Sequence, residues 1–145
     1  MYTILTIGLE EARRVVEAAI EKASEMPEMP MTVAVVDRAG DTVYLVRQDG
    51  ASSLTVRMAI NKARTAVMLT MDTKNLRTEL AGEGLSVDEF IDPLMTSIPG
   101  GICLRTADGT VVGAIGTSGR RPPAKDRDQE VALVGARAFQ QFQGQ

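Results

Sequence analysis

An α/β sandwich, with an antiparallel sheet of about five strands covered by helices, is the fold this sequence predicts. Two hairpins carry that expectation: residues 31–47 turn at Asp37-Arg-Ala-Gly-Asp41, and residues 102–116 turn at Asp108-Gly109. Long segments with apolar residues at helical spacing surround them. A weak internal repeat adds support, with Gly40 matching Gly109 and Gly50 matching Gly119. Each half reads strand, turn, strand, loop, long helix.

In chain order, Leu9, Ala12, Val16, Ala19, Ile20 and Ala23 mark a first helix. Thr6 is its expected cap, Glu10 and Glu11 favour its positive end, and Pro27 and Pro30 stop it. Residues 31–36 have little polar interruption, as a buried strand requires. Residues 42–47 alternate and return beside it. After the loop 48–53 a helix is expected over 55–71, thinned on one side by Ala59, Ala63 and Ala66. Ser86-Val-Asp-Glu89 has the form of a capping box and starts a short helix that Pro93 ends. The second hairpin follows Ser97-Ile-Pro-Gly-Gly-Ile-Cys-Leu-Arg105. Its glycines weaken a strand unless another backbone or a ligand comes close. Pro122-Pro123 then leads into a last helix over 124–142.

Composition narrows the chemistry. The chain has no histidine, no tryptophan and one cysteine, Cys103. A Ser-His-Asp triad, a histidine metal site, a CxxC pair and a cysteine-rich zinc site are all excluded, so no metal centre is expected. The formal net charge of −3 speaks against a nucleic-acid partner. No run of about 18 apolar residues crosses a membrane. The first residues, Met1-Tyr-Thr-Ile-Leu-Thr6, do not have the form of a leader. A single cysteine fits a reducing cytosol, so a cytoplasmic location is expected.

Six stretches in order make this sequence resemble the GlcG/HbpS family, also called the haem-degrading or DUF336 domain. They are Val33-Ala-Val-Val-Asp37 with Gly40, Arg47-Gln-Asp-Gly-Ala51, Ala59-Ile-Asn-Lys-Ala-Arg-Thr-Ala66, Pro99-Gly-Gly101, Gly113-Ala-Ile-Gly-Thr-Ser-Gly119 and the opening of the last helix at 126–132. The resemblance implies a profilin-like sandwich, assembly into homo-oligomers and a small-molecule ligand, with haem as the one cofactor to consider. Relatives include haem-binding proteins linked to redox sensing and proteins encoded near glycolate or aromatic-acid catabolism. Some haem-binding relatives use histidine near the iron. This chain has none, so haem would need Cys103, a methionine, a tyrosine or a hydroxyl.

Two functions from different classes follow. The first is a binding protein for haem or another planar or acidic small molecule. The Pro99-Gly100-Gly101 turn, through its glycines, and Ser118-Gly119 would present backbone N–H groups to an anion. Arg47 would hold a carboxylate bidentately or pair with Asp49, and Arg105 would do the same job or stand as an edge-strand charge. Cys103 would ligate iron, or sit as a small buried hydrophobe. The second is a cofactor-independent enzyme of small-acid catabolism, with Lys62 or Asp126 moving a proton. Against it, Lys62 could form an ion pair with Asp37 or Asp49. The carboxylates Asp126, Asp128 and Glu130 also suit a helix N-terminus without further cause. Glycines can equally shape tight turns and packing.

Overall fold

Nearly continuous apolar and small residues, buried on both faces in β1, β3 and β4, give four strands: β1 (Thr32–Asp37), β2 (Thr42–Arg47), β3 (Gly101–Arg105) and β4 (Val111–Ser118). The computed structural model describes residues 1–119 and 126–143. The four strands form one sheet in the order β2-β1-β4-β3, with each neighbouring pair antiparallel. The expected strand count of about five is therefore corrected to four among the described residues. The two hairpins supply two strands each. The N-terminal arm adds only one ladder-like bond, from the Ile7 N–H to the Val112 carbonyl at 2.9 Å.

Helices α1 (Leu9–Ala23) and α4 (Arg127–Gln143) cover one face of the sheet. Val15, Val16, Val33, Val35, Ile102, Leu104, Ile115, Val131 and Phe139 form the core between them. Helix α2 (Ser53–Leu69) covers the other face. There Val36, Ala63, Ala66, Val67, Cys103 and Ala114 form a thinner layer. The layer is thin because the register pairs Gly101 with Gly116, and both face α2. A Cβ on Gly116 would lie 1.9 Å from the Ala59 carbonyl oxygen, and one on Gly101 would lie 2.3 Å from that of Lys62. The helix backbone thus rests directly on the strands, which is the close approach that the glycines signalled.

Several boundaries differ from the sequence expectation. Helix α1 is capped at Gly8, whose N–H donates to the Glu11 carboxylate at 3.1 Å. Thr6 instead accepts the Arg38 N–H at 2.9 Å and ties the arm to the β1–β2 turn. Helix α2 starts and stops two residues earlier than expected. Helix α3 (Thr73–Glu83) was not expected from the sequence. It buries only Thr73, Leu76 and Leu80, a stripe too thin to read by periodicity. A short 3₁₀ helix, Val87–Phe90, begins as expected at Ser86, whose hydroxyl accepts the Asp88 N–H. Pro122, Pro123 and the expected start of the last helix lie outside the described residues.

Helix α3 has a clear job. Its N-cap residue Asp72 accepts the Cys103 N–H at 2.9 Å, and Thr73 accepts the Gly101 N–H at 3.0 Å. These are outward donors of edge strand β3, so the edge is covered rather than left to pair with another chain.

Gly116→Ala should cost about 3 kcal/mol or more, because backbone on both sides leaves no room to relax. Gly82→Ala, a site with no atom within 4 Å of the new Cβ, should gain about 0.5–1 kcal/mol. Thermal denaturation of the two variants checks both signs. Equal melting temperatures would show that α2 does not sit on the glycine pair.

Candidate functional site

The sheet's open end meets the N-terminus of α2 and bounds a cavity of about 640 Å³. Pro30 comes from the β1 approach, and Gly50 and Ala51 from the β2–α2 loop. Ser52, Leu54 and Thr55 come from the first turn of α2, and Ser118 and Gly119 from the end of β4. Glu28 and Met29 complete the wall. Thr32 and Ser118 are register partners, so their side chains share the α2 face of the sheet. The Thr32 hydroxyl bonds that of Thr55 at 2.9 Å, which in turn donates to the Ser52 carbonyl at 2.6 Å. That chain fixes the first turn of α2 against β1.

Behind this wall lies a buried charge pair. Lys62 is 1% exposed, and its Nζ donates to Asp128 Oδ2 at 2.9 Å and to the Thr117 carbonyl at 2.8 Å. Burial pushes the Lys62 ammonium below the usual lysine value, and Asp128 opposes that shift by charge and hydrogen bond. Asp128 Oδ1 is buried without a hydrogen-bond partner among the described residues. The Thr117 hydroxyl donates to the Asp128 carbonyl. Helix α4 is thereby fastened to β4 and α2 at its first turn. Lys62 thus has the ion-pair fate, but with Asp128 rather than Asp37 or Asp49.

The other sequence candidates scatter. Ser118 and Gly119 reach the cavity. The Pro99 side chain is half-buried, and the amides that follow it are engaged within the protein. Gly100 N–H donates to the Gln129 side chain at 3.1 Å and Gly101 N–H to Thr73, so neither is presented to a ligand. Cys103 lies under α2, with its thiol donating to the Ala66 carbonyl at 3.2 Å. Burial, helped by Asp72, pushes that thiol up to about 12. It lines none of the described cavities and is placed as a packing residue. Arg105 caps the far end of α2 by donating to the Thr70 carbonyl at 2.9 Å, and it also donates to Gly109 at 3.1 Å. Arg47 and Asp49 are exposed and form no ion pair with each other. Asp126 is exposed in the turn before α4 and does not contact Lys62 by hydrogen bond. No group of three acidic or sulfur side chains that could hold a metal ion occurs among the described residues.

Sequence reasoning named Asp128 only within the helix-start cluster, not as the partner of Lys62, and passed over Arg127. Asp128 precedes the buried pair Val131 and Ala132 by three and four positions, so helical phase turns it inward. Arg127 is 8% exposed and donates to the Met29 and Ala23 carbonyls, both at 2.7 Å. It closes the C-terminus of α1 and holds the cavity wall at Met29.

Comparison with known proteins agrees with this architecture. Residues 7–137 match the family model described as haem degrading protein HbpS-like. The chain belongs to the HbpS-like family. Protein GlcG of Escherichia coli K12 is 30% identical over 81% of this chain and 85% of its own length. The HbpS-like fold is shared with a double mutant of Streptomyces reticuli HbpS, at a TM-score of 0.80 and 34% identity, covering 94% of this chain and 89% of that one. PduOC, crystallised as a haem complex, has the same fold at a TM-score of 0.79 and 23% identity, covering 92% and 95% of the two chains.

For the buried pair, Lys62→Met should cost about 3 kcal/mol, because it strands the Asp128 carboxylate. The double variant Lys62→Met/Asp128→Leu should recover most of that loss, since desolvation outweighs attraction in setting the Lys62 shift. Urea denaturation of the three variants measures this. A double variant as unstable as the single one would refute it.

Proposed function

We propose that this HbpS-like protein binds a small molecule in the cavity at the N-terminus of α2, with haem or another planar or acidic molecule as ligand. The observation that carries the reading is the make-up of that cavity. Pro30, Ala51 and Leu54 offer apolar surface for a flat ring, while Ser52, Thr55 and Ser118 offer hydroxyls. Mixed walls of this kind, with few polar groups, suit a ligand pocket. The family description and the haem-bound structural neighbour support haem as the first ligand to test.

The residues present can be weighed against haem. Axial ligands to haem iron are commonly His, Cys, Met or Tyr, and Met29 is the cavity-lining residue of that set. The Cys103 thiol is held in the α2 interface, protonated and bonded to Ala66. Met29 would therefore hold the iron, with Pro30 and Leu54 covering the ring. Bound haem would supply an iron centre for redox or oxygen chemistry. The chain's part is to bind it, shield it and keep Met29 in place through Arg127.

Haem titration should give a Soret band that saturates at one haem per chain. Met29→Leu should shift that band and weaken binding by at least about tenfold, since even losing a group that supports a metal ligand costs ~10–100-fold. Cys103→Ala should leave the spectrum unchanged. A spectrum that changes in Cys103→Ala alone would overturn the ligand assignment, and no saturable band would remove haem as the ligand.

We also infer a cytoplasmic homo-oligomer. Phe90, Ile91, Leu94 and Ile98 stand exposed along the segment that packs beside α2, where Thr96 N–H bonds Thr65. A monomer seldom leaves such a run uncovered. Sedimentation at micromolar concentration should show a species heavier than the 15.6 kDa chain. A single-chain mass would contradict it.

A further inference from the structure

We propose that the cavity contains a seat for a carboxylate, formed by the first turn of α2 and the Ser118 hydroxyl. This deepens the binding role proposed above and rests on it for the ligand's location.

Two independent observations meet here. The first is the helix end. Helix α2 has 17 residues, and its N-cap Ser52 makes no side-chain cap. The Thr55 N–H turns back to the Ser52 carbonyl at 3.0 Å. The Ser53 and Leu54 amides have no partner among the described residues, and no acidic side chain stands in the first turn. The positive end of the helix dipole is therefore left without an anion, and Ser52, Leu54 and Thr55 line the cavity.

The second is Ser118. This residue is 8% exposed and lines the same cavity. Its register partner Thr32 faces α2, and Gly116, two residues back on β4, faces α2 as well. The Ser118 side chain therefore points toward the first turn of α2. Thr32 and Thr55 satisfy each other, but the Ser118 hydroxyl makes no hydrogen bond among the described residues. On a residue 8% exposed, that oxygen is not among the buried unpaired atoms, so it opens to the cavity as a donor that a ligand can reach.

Together these groups offer donors and a positive dipole end but no full charge. Such a set favours an anion held by hydrogen bonds, and a carboxylate fits it. Glu28 on the opposite wall disfavours multiply charged ligands. The carboxylate could belong to a small planar acid or to a haem propionate. The chemistry of the seat is the same for both.

The test uses benzoate and its uncharged isostere benzamide as probes, followed by amide NMR. Benzoate should shift the Ser53, Leu54 and Thr55 amides saturably, and benzamide should not. Ser118→Ala, which removes only the hydroxyl, should keep the wild-type melting temperature. It should weaken benzoate about tenfold, the scale of one hydrogen bond to a charged acceptor. A second arm compares haem with its dimethyl ester. The Ser118→Ala loss should appear for haem and vanish for the ester. If haem fails to bind but the benzoate shifts remain, the haem reading falls and the seat stands. If benzoate shifts no α2 amide, or Ser118→Ala weakens benzoate and benzamide equally, the seat is wrong.

Discussion

The direct contact between the backbone of α2 and the Gly101–Gly116 pair governs the rest of this molecule. A helix packed through side chains stands about 10 Å from a sheet. Here no side chain on those two positions intervenes, and the Ala59 and Lys62 carbonyls rest on the strands. That closeness sets where Lys62 emerges. Its side chain leaves α2 already beneath the first turn of α4, so it finds Asp128 and the Thr117 carbonyl without exposure to water. It also sets where α2 begins. The first turn reaches just past the end of β4, so Ser52, Leu54 and Thr55 face Ser118 across a cavity rather than a packed interface.

Desolvation lowers the Lys62 pKa despite Asp128, so holding the Lys62 amine in its charged form disfavours the folded state at neutral pH. That burden is present while the ammonium is protonated. It is lifted as pH rises through the lowered folded value toward 10.5, where the unfolded side chain also loses its proton. The pair's benefit is positional. Lys62, Thr117 and Asp128 join three elements at one point, and an apolar replacement would join them without fixing the rotation of α4. Arg127, the next residue along, faces α1 and closes its last carbonyls. Two adjacent residues of one helix thus fasten both of its neighbours and, through Met29, one wall of the cavity.

Local rules made most of the fold legible in the sequence. Strands β1, β2 and β4 declare themselves by apolar runs and Asp-Gly or Ala-Gly turns, and α1, α2 and α4 by their stripes. The glycines of the second hairpin were legible too, as a demand for close approach, though not as to what approaches. Three features were not. Helix α3 buries so little that its sequence looks like loop, and its purpose lies in Asp72 and Thr73, which serve a strand nearly 30 residues away. Gly100 and Gly101 looked like anion donors because nothing in the sequence shows that Gln129 and Thr73 already occupy their amides. Asp126 and Asp128 looked equivalent, and helical phase alone separates the exposed one from the half-buried one that meets Lys62.

A division of labour follows between the two sets of polar groups. Full charges inside the protein are matched to one another or to carbonyls: Lys62 to Asp128, Arg127 to α1, Arg105 to the end of α2. Among the described residues, the cavity is left with hydroxyls, free amides, a thioether and one carboxylate at Glu28. The chain has no histidine to line it. Binding there should therefore depend on shape and on fixed dipoles rather than on proton exchange. Such a site is suited to holding a ligand steadily. Lys62, whose ammonium burial pushes below the usual lysine value, is sealed behind the wall and bonded on two sides. The same constraint that sets α2 on its glycine pair therefore places this amine in the packed interior beside Asp128, apart from the residues that line the cavity.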